Sequence, residues 1–232
     1  MDEIFARNVL YWGDEAQKII ASSHIAVFGL GGVGGFCAEA LARSGVGELT
    51  LVDFDKVSKS NINRQILATI STIGCKKCEA ACERVREINP DAEVRGLDIR
   101  ITADNLDFIR NENPDVVIDA IDDVQAKCSL AAFLARNGIC FVSAMGAALK
   151  TKPEMLRAAT LDKTEGCALA KKMRDNLRRE GVDLRKVRCV YSPEAVKICK
   201  DAAGNNVLGS LPMVPAAMGA MLAAEALALV TE

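Results

Sequence analysis

The residues of this sequence best placed to do chemistry are glycines between two apolar runs. The first run ends at Phe28, and the glycines after it have the spacing of a turn into a helix: Gly29, Gly31, Gly32 and Gly34. Side chains must be absent where backbone N–H groups at a helix N-terminus approach a phosphate. The second run ends in Asp53, 19 residues past the last glycine, where an acid can hydrogen-bond a ribose hydroxyl. This pattern predicts a bound nucleotide; the alternative is a tight strand–helix turn without a ligand.

A polar segment, SNINRQ at 60–65, follows Asp53 and Asp55. Arg64 offers a bidentate fork for phosphate oxygens, and Asn61 can donate from its amide. We therefore take this segment as part of the nucleotide site, with a solvated loop as the alternative. The candidate ligands from this part of the chain are Asp53, Asp55, Asn61, Arg64 and Gln65.

Lys77 lies near the start of a predicted helix, where the positive end of the helix dipole disfavours a lysine. A phosphate group nearby would explain its position. The sequence barely separates Lys77 from its neighbour Lys76, and a surface role is the alternative.

Two acids, Asp122 and Asp123, end the predicted strand VVIDAIDD at 116–123. Ligands bind at this end of strands in open parallel sheets. A carboxylate facing a triphosphate requires a divalent cation between them, and Mg2+ takes one or two carboxylates together with phosphate oxygens. Asp122 is therefore a candidate Mg2+ ligand; the alternative is an N-cap of the next helix.

Regular alternation of strands and helices positions these residues. The pattern predicts N-terminal helices over 3–22 broken near Gly13, and then strands at 25–29, 48–53, 93–99, 115–121 and 139–144. The predicted helices between and after them are 32–44, 75–88, 102–112 and 123–137. Such alternation is typical of an α/β fold with a doubly wound, Rossmann-like, mostly parallel sheet.

The regular alternation of strands and helices ends after Gly146, where we expect a C-terminal antiparallel extension. It contains strands at 155–160 and 187–191, a helix at 165–180 and a flexible loop at 202–212. We predict one domain, 1–232, with a nucleotide-binding core at 1–146 and a substrate and dimer extension at 147–232.

The composition suits a cytoplasmic protein. The net charge is −2, the N-terminus carries acids in place of a signal peptide, and the nine cysteines are typical of reduced thiols. The apolar segment 213–230 is rich in alanine and glycine, which insert poorly into membranes. We expect it to be a buried helix, with no stable membrane insertion.

The sequence resembles the ATP-dependent adenylylating enzymes related to ubiquitin-activating enzyme, the ThiF type. The resemblance is carried by five motifs in this order: GLGGVG, DFD, SNINRQ, the helix lysine and the strand-end aspartate. The resemblance covers 4–146. It implies ATP and Mg2+ as cofactors and a homodimer in which Arg7 reaches the partner's ATP. It further implies that Gly32 faces the phosphates, Asp53 holds the ribose, and the remaining groups hold the triphosphate and Mg2+: Asn61, Arg64, Lys77 and Asp122.

Four short segments are similar to the tRNA threonylcarbamoyladenosine dehydratases: NRQI, REINP at 86–90, VIDAID at 117–122 and CVYSPEA at 189–195. This resemblance implies ATP-driven activation of a carboxylate on tRNA followed by ring closure. The paired zinc CxxC motifs of sulfur-carrier activators are absent from the sequence, which has only Cys75 to Cys78. The alternatives are a sulfur-carrier activator, an NAD(P) oxidoreductase and a non-catalytic nucleotide-binding scaffold. A monovalent cation and a sulfur-transfer protein are further candidate partners.

A basic run at 171–188 holds eight lysines and arginines against three acids, in a chain of negative net charge. It predicts an anionic partner such as tRNA; the alternative is a solvated helix face. Cys167 and Cys189 are candidate nucleophiles, with buried free cysteine the commoner role. The single histidine, His24, is expected to be structural.

Overall fold

A computed structural model describes residues 3–196, 198–201 and 203–232 of the chain. Its centre is a seven-stranded sheet in the order β3-β2-β1-β4-β5-β7-β6. All neighbouring strands are parallel except β6 and β7, which are antiparallel. The strands are β1 (His24–Phe28), β2 (Glu48–Val52), β3 (Glu93–Leu97), β4 (Val116–Asp119), β5 (Phe141–Ala144), β6 (Arg157–Thr160) and β7 (Arg188–Tyr191).

Eight α-helices flank or precede the sheet in the described part of the chain. They are α1 (Ala6–Trp12), α2 (Asp14–Ser22), α3 (Gly34–Arg43), α4 (Lys77–Ile88), α5 (Phe108–Glu112), α6 (Val124–Asn137), α7 (Ala168–Arg179) and α8 (Met213–Thr231). The predicted break between α1 and α2 is confirmed at Gly13, whose φ of 84° is a conformation that side chains rarely adopt.

Two hydrophobic cores cover the two faces of the sheet. On one face α3, α4 and α8 pack against the strands, with Leu41, Val85 and Leu222 among the buried residues. On the other face α5, α6 and α7 contribute, with Leu130 and Met173 buried. Burial on both faces explains why the strands read as continuous apolar runs, and it confirms the doubly wound α/β prediction.

The C-terminal helix α8 is long and apolar enough, by length and composition, to cross a membrane. It packs against α2, α3 and three strands of the sheet. At Gly219 it approaches α3 so closely that an added Cβ would lie 2.5 Å from the Val33 carbonyl oxygen. One face of α8, with Val214, Met218 and Leu222, is therefore buried in the core.

Three predicted elements are wrong in detail. The helix predicted over 102–112 is confined to α5, because Asn105 accepts from the Thr102 N–H and donates to the Arg100 carbonyl, which holds a turn. The helix predicted from 165 begins only at α7, after Gly166 with a φ of 67°.

The third correction concerns the loop predicted over 202–212. Part of this loop forms a strand, β9 (Asn206–Val207), which pairs in antiparallel fashion with β8 (Cys199–Lys200). Residue 202 lies outside the described residues. The residue types at 201–205 favour a turn and therefore predicted a loop. Strands of two residues are too short to show an alternating hydrophobic pattern.

Candidate active site

A cleft of about 1100 Å³ opens at the carboxyl ends of the parallel strands. The chain runs from β1 toward β2 and β3 on one side, and from β4 toward β5 on the other. The cleft therefore lies at the topological switch point between β1 and β4, where open α/β sheets bind ligands. Most of the predicted nucleotide-binding residues line it.

The glycine turn forms one wall of the cleft, and two of its glycines leave no room for a side chain. Gly29 has a φ of 87°, and an added Cβ would lie 2.7 Å from the Ala120 carbonyl oxygen. A Cβ on Gly34 would lie 1.8 Å from the Gly29 oxygen. At Gly31 the nearest atom to an added Cβ is 3.9 Å away, on Gln65. Gly29 and Gly34 are thus required by packing, whereas Gly31 presents bare backbone to the cleft.

Asp53 is buried beside this turn and holds it in place. Its carboxylate accepts hydrogen bonds from the Leu30 N–H at 2.7 Å and from the Asp55 N–H at 2.8 Å. Burial raises the pKa of the Asp53 carboxyl, while Lys77 and the two N–H donors oppose that rise. The aspartate therefore orders the glycine turn in addition to any contact with a ribose.

The structure separates Lys77 from Lys76. Lys77 is buried in the cleft wall, where its Nζ lies 2.7 Å from Asp55 Oδ2 and 4.0 Å from Asp53 Oδ2. Lys76 pairs on the surface with Glu79 and Asp98. The prediction that Lys77 belongs to the site is supported by this placement, because a surface lysine would not be buried against two carboxylates.

The polar segment lines the same cleft. Asn61 accepts from the Ser58 N–H, and Arg64 Nη1 donates to the Ser60 carbonyl and to Asn63. Gln65 is buried, and its Oε1 has no hydrogen-bond partner among the described residues. A buried acceptor without a donor is costly, so Gln65 fits a ligand that supplies one, such as a ribose hydroxyl or a base amino group.

A flat apolar wall follows Asp53. The guanidinium of Arg100 lies over the Phe54 ring, with its Cζ 4.7 Å from the ring centroid. Ile99 and Ile101 line the cleft beside this pair. Apolar and cationic faces of this kind can stack against a nucleobase. No single segment of the sequence predicts this wall, because its residues follow two different strands.

Asp122 lines the cleft with its carboxylate exposed, whereas Asp123 caps α6 by accepting from the Ala126 N–H at 2.8 Å. The alternative role of Asp122 as the N-cap is therefore wrong. Among residues 3–196, 198–201 and 203–232, no group of three or more His, Cys, Asp or Glu side chains could hold a metal ion. A single exposed carboxylate fits Mg2+ that takes its other ligands from phosphates and water.

Arg7 lies exposed on α1 and does not line the cleft of its own chain. Its predicted role in a partner's site stays a prediction.

His24 is the first residue of β1 and lies at the opposite end of the strands from the cleft. Its side chain forms a hydrogen bond of 2.9 Å with Thr50. This buried position fits the expected structural role, which stays a prediction.

The two candidate nucleophiles differ in position. Cys167 is buried at the start of α7 and lines the cleft. Cys189 is buried within β7, where its Sγ donates to the Ala159 carbonyl at 3.4 Å. Burial raises the pKa of the Cys189 thiol to about 12, so this thiol is protonated and a poor nucleophile at neutral pH.

The basic face of α7, defined by Lys171, Lys172, Arg178 and Arg179, is exposed. In the described part of the chain, none of these four side chains forms an ion pair. Other cations of the basic run are already paired, for example Arg185 with Asp183. Lys172 lines the cleft, so the basic face begins at the cleft and extends away from it.

Two buried lysines were missed by the sequence analysis. Lys127 is fully buried on α6 and pairs with Asp119 at 2.9 Å. Lys150 is buried in the wall of the cleft and donates to the carbonyl oxygens of Ser192 and Glu194. The burial of Lys127 could have been predicted from the sequence, because it lies at helical spacing on an apolar face with Val124, Cys128 and Ala131. Lys150 lies in a loop without such a pattern.

Comparison with known proteins agrees with this geometry. A family model described as the ThiF family matches residues 5–232. The chain is 39% identical over 203 residues to the tRNA threonylcarbamoyladenosine dehydratase of Escherichia coli, covering 83% of this chain and 74% of the relative. The Bacillus subtilis enzyme of the same name is 39% identical over 197 residues, covering 85% and 77%.

A solved structure shows the same fold. The E. coli tRNA N6-threonylcarbamoyladenosine dehydratase, in a crystal structure in complex with ATP, matches with a TM-score of 0.90 and 36% identity. The match covers 98% of this chain and 93% of that chain. It includes the C-terminal extension, so the fold is shared from the glycine turn to the last helix.

Proposed function

Because the chain belongs to the ThiF family, we propose that it binds ATP in the cleft and adenylylates the carboxylate of threonylcarbamoyladenosine in tRNA, which then cyclises. The observation that carries this proposal is the convergence of a bare glycine turn, Arg64, Lys77 and Asp122 in one cleft. These groups suit the phosphates of a nucleotide. The dehydratase relatives supply the substrate class.

The nucleotide would lie with its phosphates against the glycine turn and its ribose near Asp53. Gln65 would accept a hydrogen bond from the ligand, and the wall of Phe54 and Arg100 would contact the base. Arg64 and Lys77 would neutralise the phosphate charge. A Mg2+ ion held by Asp122 would supply further charge neutralisation of the triphosphate when bound.

The chemistry needs two displacements. A carboxylate oxygen attacks the α-phosphorus of ATP, and pyrophosphate leaves. An atom of the carbamoyl group then attacks the acyl carbon, the carbamoyl group loses one N–H proton to solvent, and AMP leaves with the attacking oxygen of the former carboxylate. The net change in the nucleoside is the loss of the elements of water. Positioning and charge neutralisation dominate such a reaction, and the one histidine of the chain lies outside the cleft.

The basic face of α7 is the proposed contact for the tRNA backbone. Phosphates of RNA are attracted by unpaired cations, and these four cations lead away from the cleft. We place the protein in the cytoplasm with its tRNA substrate. A monovalent cation and a sulfur-transfer protein remain candidate partners without a specific site among the described residues.

The proposed homodimer rests on the exposed apolar surface beside Arg7. Leu10 is 86% exposed and Tyr11 is 85% exposed, which is unusual for large apolar side chains. If Arg7 acts in the partner's site, mixing inactive Arg7→Ala and Asp122→Ala variants under subunit exchange restores about a quarter of the wild-type activity, because half the chains form mixed dimers with one complete site. No restoration would exclude the shared site.

The direct test uses tRNA isolated from cells that lack the cyclising activity. The purified protein with ATP and Mg2+ should convert threonylcarbamoyladenosine to its cyclic form, measured by mass spectrometry of digested nucleosides. Omitting ATP, or using tRNA without the modification, is the control. A carrier protein ending in Gly-Gly tests the main alternative. Pyrophosphate exchange supported by the carrier and not by tRNA would overturn the tRNA assignment while keeping the ATP site.

A further inference from the structure

Lys127 has an unusual environment for a lysine. Its side chain has no solvent exposure, and neither has that of its partner Asp119. Removing two charges from water is costly, and an apolar pair of similar size is often at least as stable. Fold stability alone is therefore a poor explanation for this pair, and its contacts indicate what else it does.

The three N–H groups of the Lys127 ammonium all have acceptors at the last residue of β4 or in the turn after it. Nζ lies 2.9 Å from Asp119 Oδ1, 3.1 Å from the Asp119 carbonyl oxygen and 3.1 Å from the Ile121 carbonyl oxygen. Asp119 Oδ1 also accepts from the Ile121 N–H at 3.2 Å, and its Oδ2 accepts from the Ser143 hydroxyl at 2.7 Å. The contacts of Lys127 and Asp119 thus hold the backbone of residues 119–121 in place.

That backbone segment leads directly to Asp122, the exposed carboxylate of the cleft. It also packs against the glycine turn, since Ala120 N–H donates to the Phe28 carbonyl and the Ala120 oxygen excludes any Cβ at Gly29. A shift of the segment would therefore move Asp122 relative to the glycine turn. Small displacements of positioned groups are costly in catalysis.

We propose that Lys127, through its buried pair with Asp119, is a positioning residue that holds Asp122 at the correct distance from the phosphates bound by the glycine turn. This inference rests on the proposed function, because it gives Asp122 its role toward Mg2+ and ATP. Lys127 itself does not line the cleft, so it acts only through the backbone that it binds.

The test uses a charge-neutral double variant, Lys127→Met with Asp119→Asn, which avoids leaving one buried charge unpaired. The amide oxygen that this variant carries at position 119 can still accept from the Ile121 N–H. The control is Asn89→Leu, which removes a buried side chain that donates to the Val46 carbonyl and does not line the cleft. All variants are assayed at a temperature at which thermal unfolding shows that they are folded.

Two measurements on the double variant and two further variants decide the proposal. In the double variant the Mg2+ concentration for half-maximal ATP binding, measured by calorimetry, should rise at least tenfold, while ATP binding in EDTA changes less than twofold. Hydrogen exchange of the 119–123 amides should accelerate without any ligand. Lys127→Arg should recover most of the Mg2+ response, and adding Asp122→Ala to the double variant should cause little further loss, since coupled residues are not additive.

A folded double variant with wild-type Mg2+ dependence and wild-type exchange would overturn the positioning role and leave the proposed function intact. A response of equal size in Asn89→Leu would overturn it as well, because loss of any buried polar contact to the backbone would then have the same effect. Absence of Mg2+-dependent ATP binding in the wild-type protein would overturn both the positioning role and the proposed function.

Discussion

The two ends of the cleft use charge in opposite ways. At the nucleotide end, Lys77 and Lys127 are buried and each is paired with a carboxylate next to a strand end. At the other end, the cations of the basic face of α7 are exposed and, within the described residues, unpaired. The first arrangement is preorganised for one small ligand in one position. The second suits a large polyanion that can bind in slightly different ways.

This comparison predicts different responses to substitution. Substitutions at the nucleotide end should reduce activity strongly by displacing neighbouring groups, because buried charged groups have no alternative partners. Changes on α7 should act gradually and depend on salt, because exposed cations contribute additively and are screened.

The largest expected effect is on the glycine turn. Gly34→Ala would place a Cβ 1.8 Å from the Gly29 oxygen, so we expect a loss of more than about 3 kcal/mol of unfolding free energy, or insoluble protein. Gly181→Ala is the control, since Gly181 has a φ of 71° but nothing within 4 Å. It should cost about 1–2 kcal/mol. Equal denaturation midpoints for the two variants would contradict the packed turn.

The next effect separates two neighbouring lysines. Lys77→Ala should lower the turnover number at least about 100-fold, because it removes a buried cation from the proposed phosphate site. Lys76→Ala should leave it within about twofold, because its pairs are surface pairs. Steady-state kinetics with saturating ATP measures both. Similar losses in the two variants would mean that Lys77 has no special role.

A smaller effect is expected on the basic face. The double variant Arg178→Ala, Arg179→Ala should weaken tRNA binding and reduce the salt dependence of the affinity by about 1 per residue. ATP affinity should not change. Arg185→Ala is the control, because Arg185 is already paired with Asp183. Filter binding over a range of salt concentrations measures the slope, and an unchanged slope in the double variant would remove α7 from the tRNA contact.

The smallest effect is predicted for Cys189. With a pKa of about 12 its thiol remains protonated from pH 6 to pH 9, so thiolate chemistry is suppressed across that range. Cys189→Ala should retain at least about half of the activity, with some loss of stability from the cavity. Alkylation followed by peptide mapping should modify the exposed Cys75 and Cys140 first. Early labelling of Cys189 would contradict its burial.

The nucleotide end was the more predictable of the two regions. Its glycines and Asp53 lie next to elements with strong periodicity, so their position along the chain implies their position in space. Asp122 was predicted at a strand end but lies in the turn after β4, which ends at Asp119. The choice between Lys76 and Lys77 required the structure, because both begin the same helix and only tertiary packing decides which is buried.

The remainder depended on contacts that are distant in sequence. Lys150 and Glu194 join two loops, with Glu194 accepting from the N–H groups of Thr151 and Lys152. Neither loop has a periodic pattern, so their pairing was not predictable. The CVYSPEA phrase signalled this region, but its Cys189 is a buried strand residue, and the ordering contact comes from Glu194 instead.

The route of one oxygen atom tests the central claim most directly. Threonylcarbamoyladenosine tRNA labelled with 18O in the carboxylate is incubated with the protein, ATP and Mg2+, and the nucleotide products are analysed by mass spectrometry. Adenylylation in the cleft predicts that each cyclised nucleoside yields AMP containing one 18O atom, together with unlabelled pyrophosphate. Labelled phosphate accompanied by ADP, or cyclisation with unlabelled AMP, would contradict it.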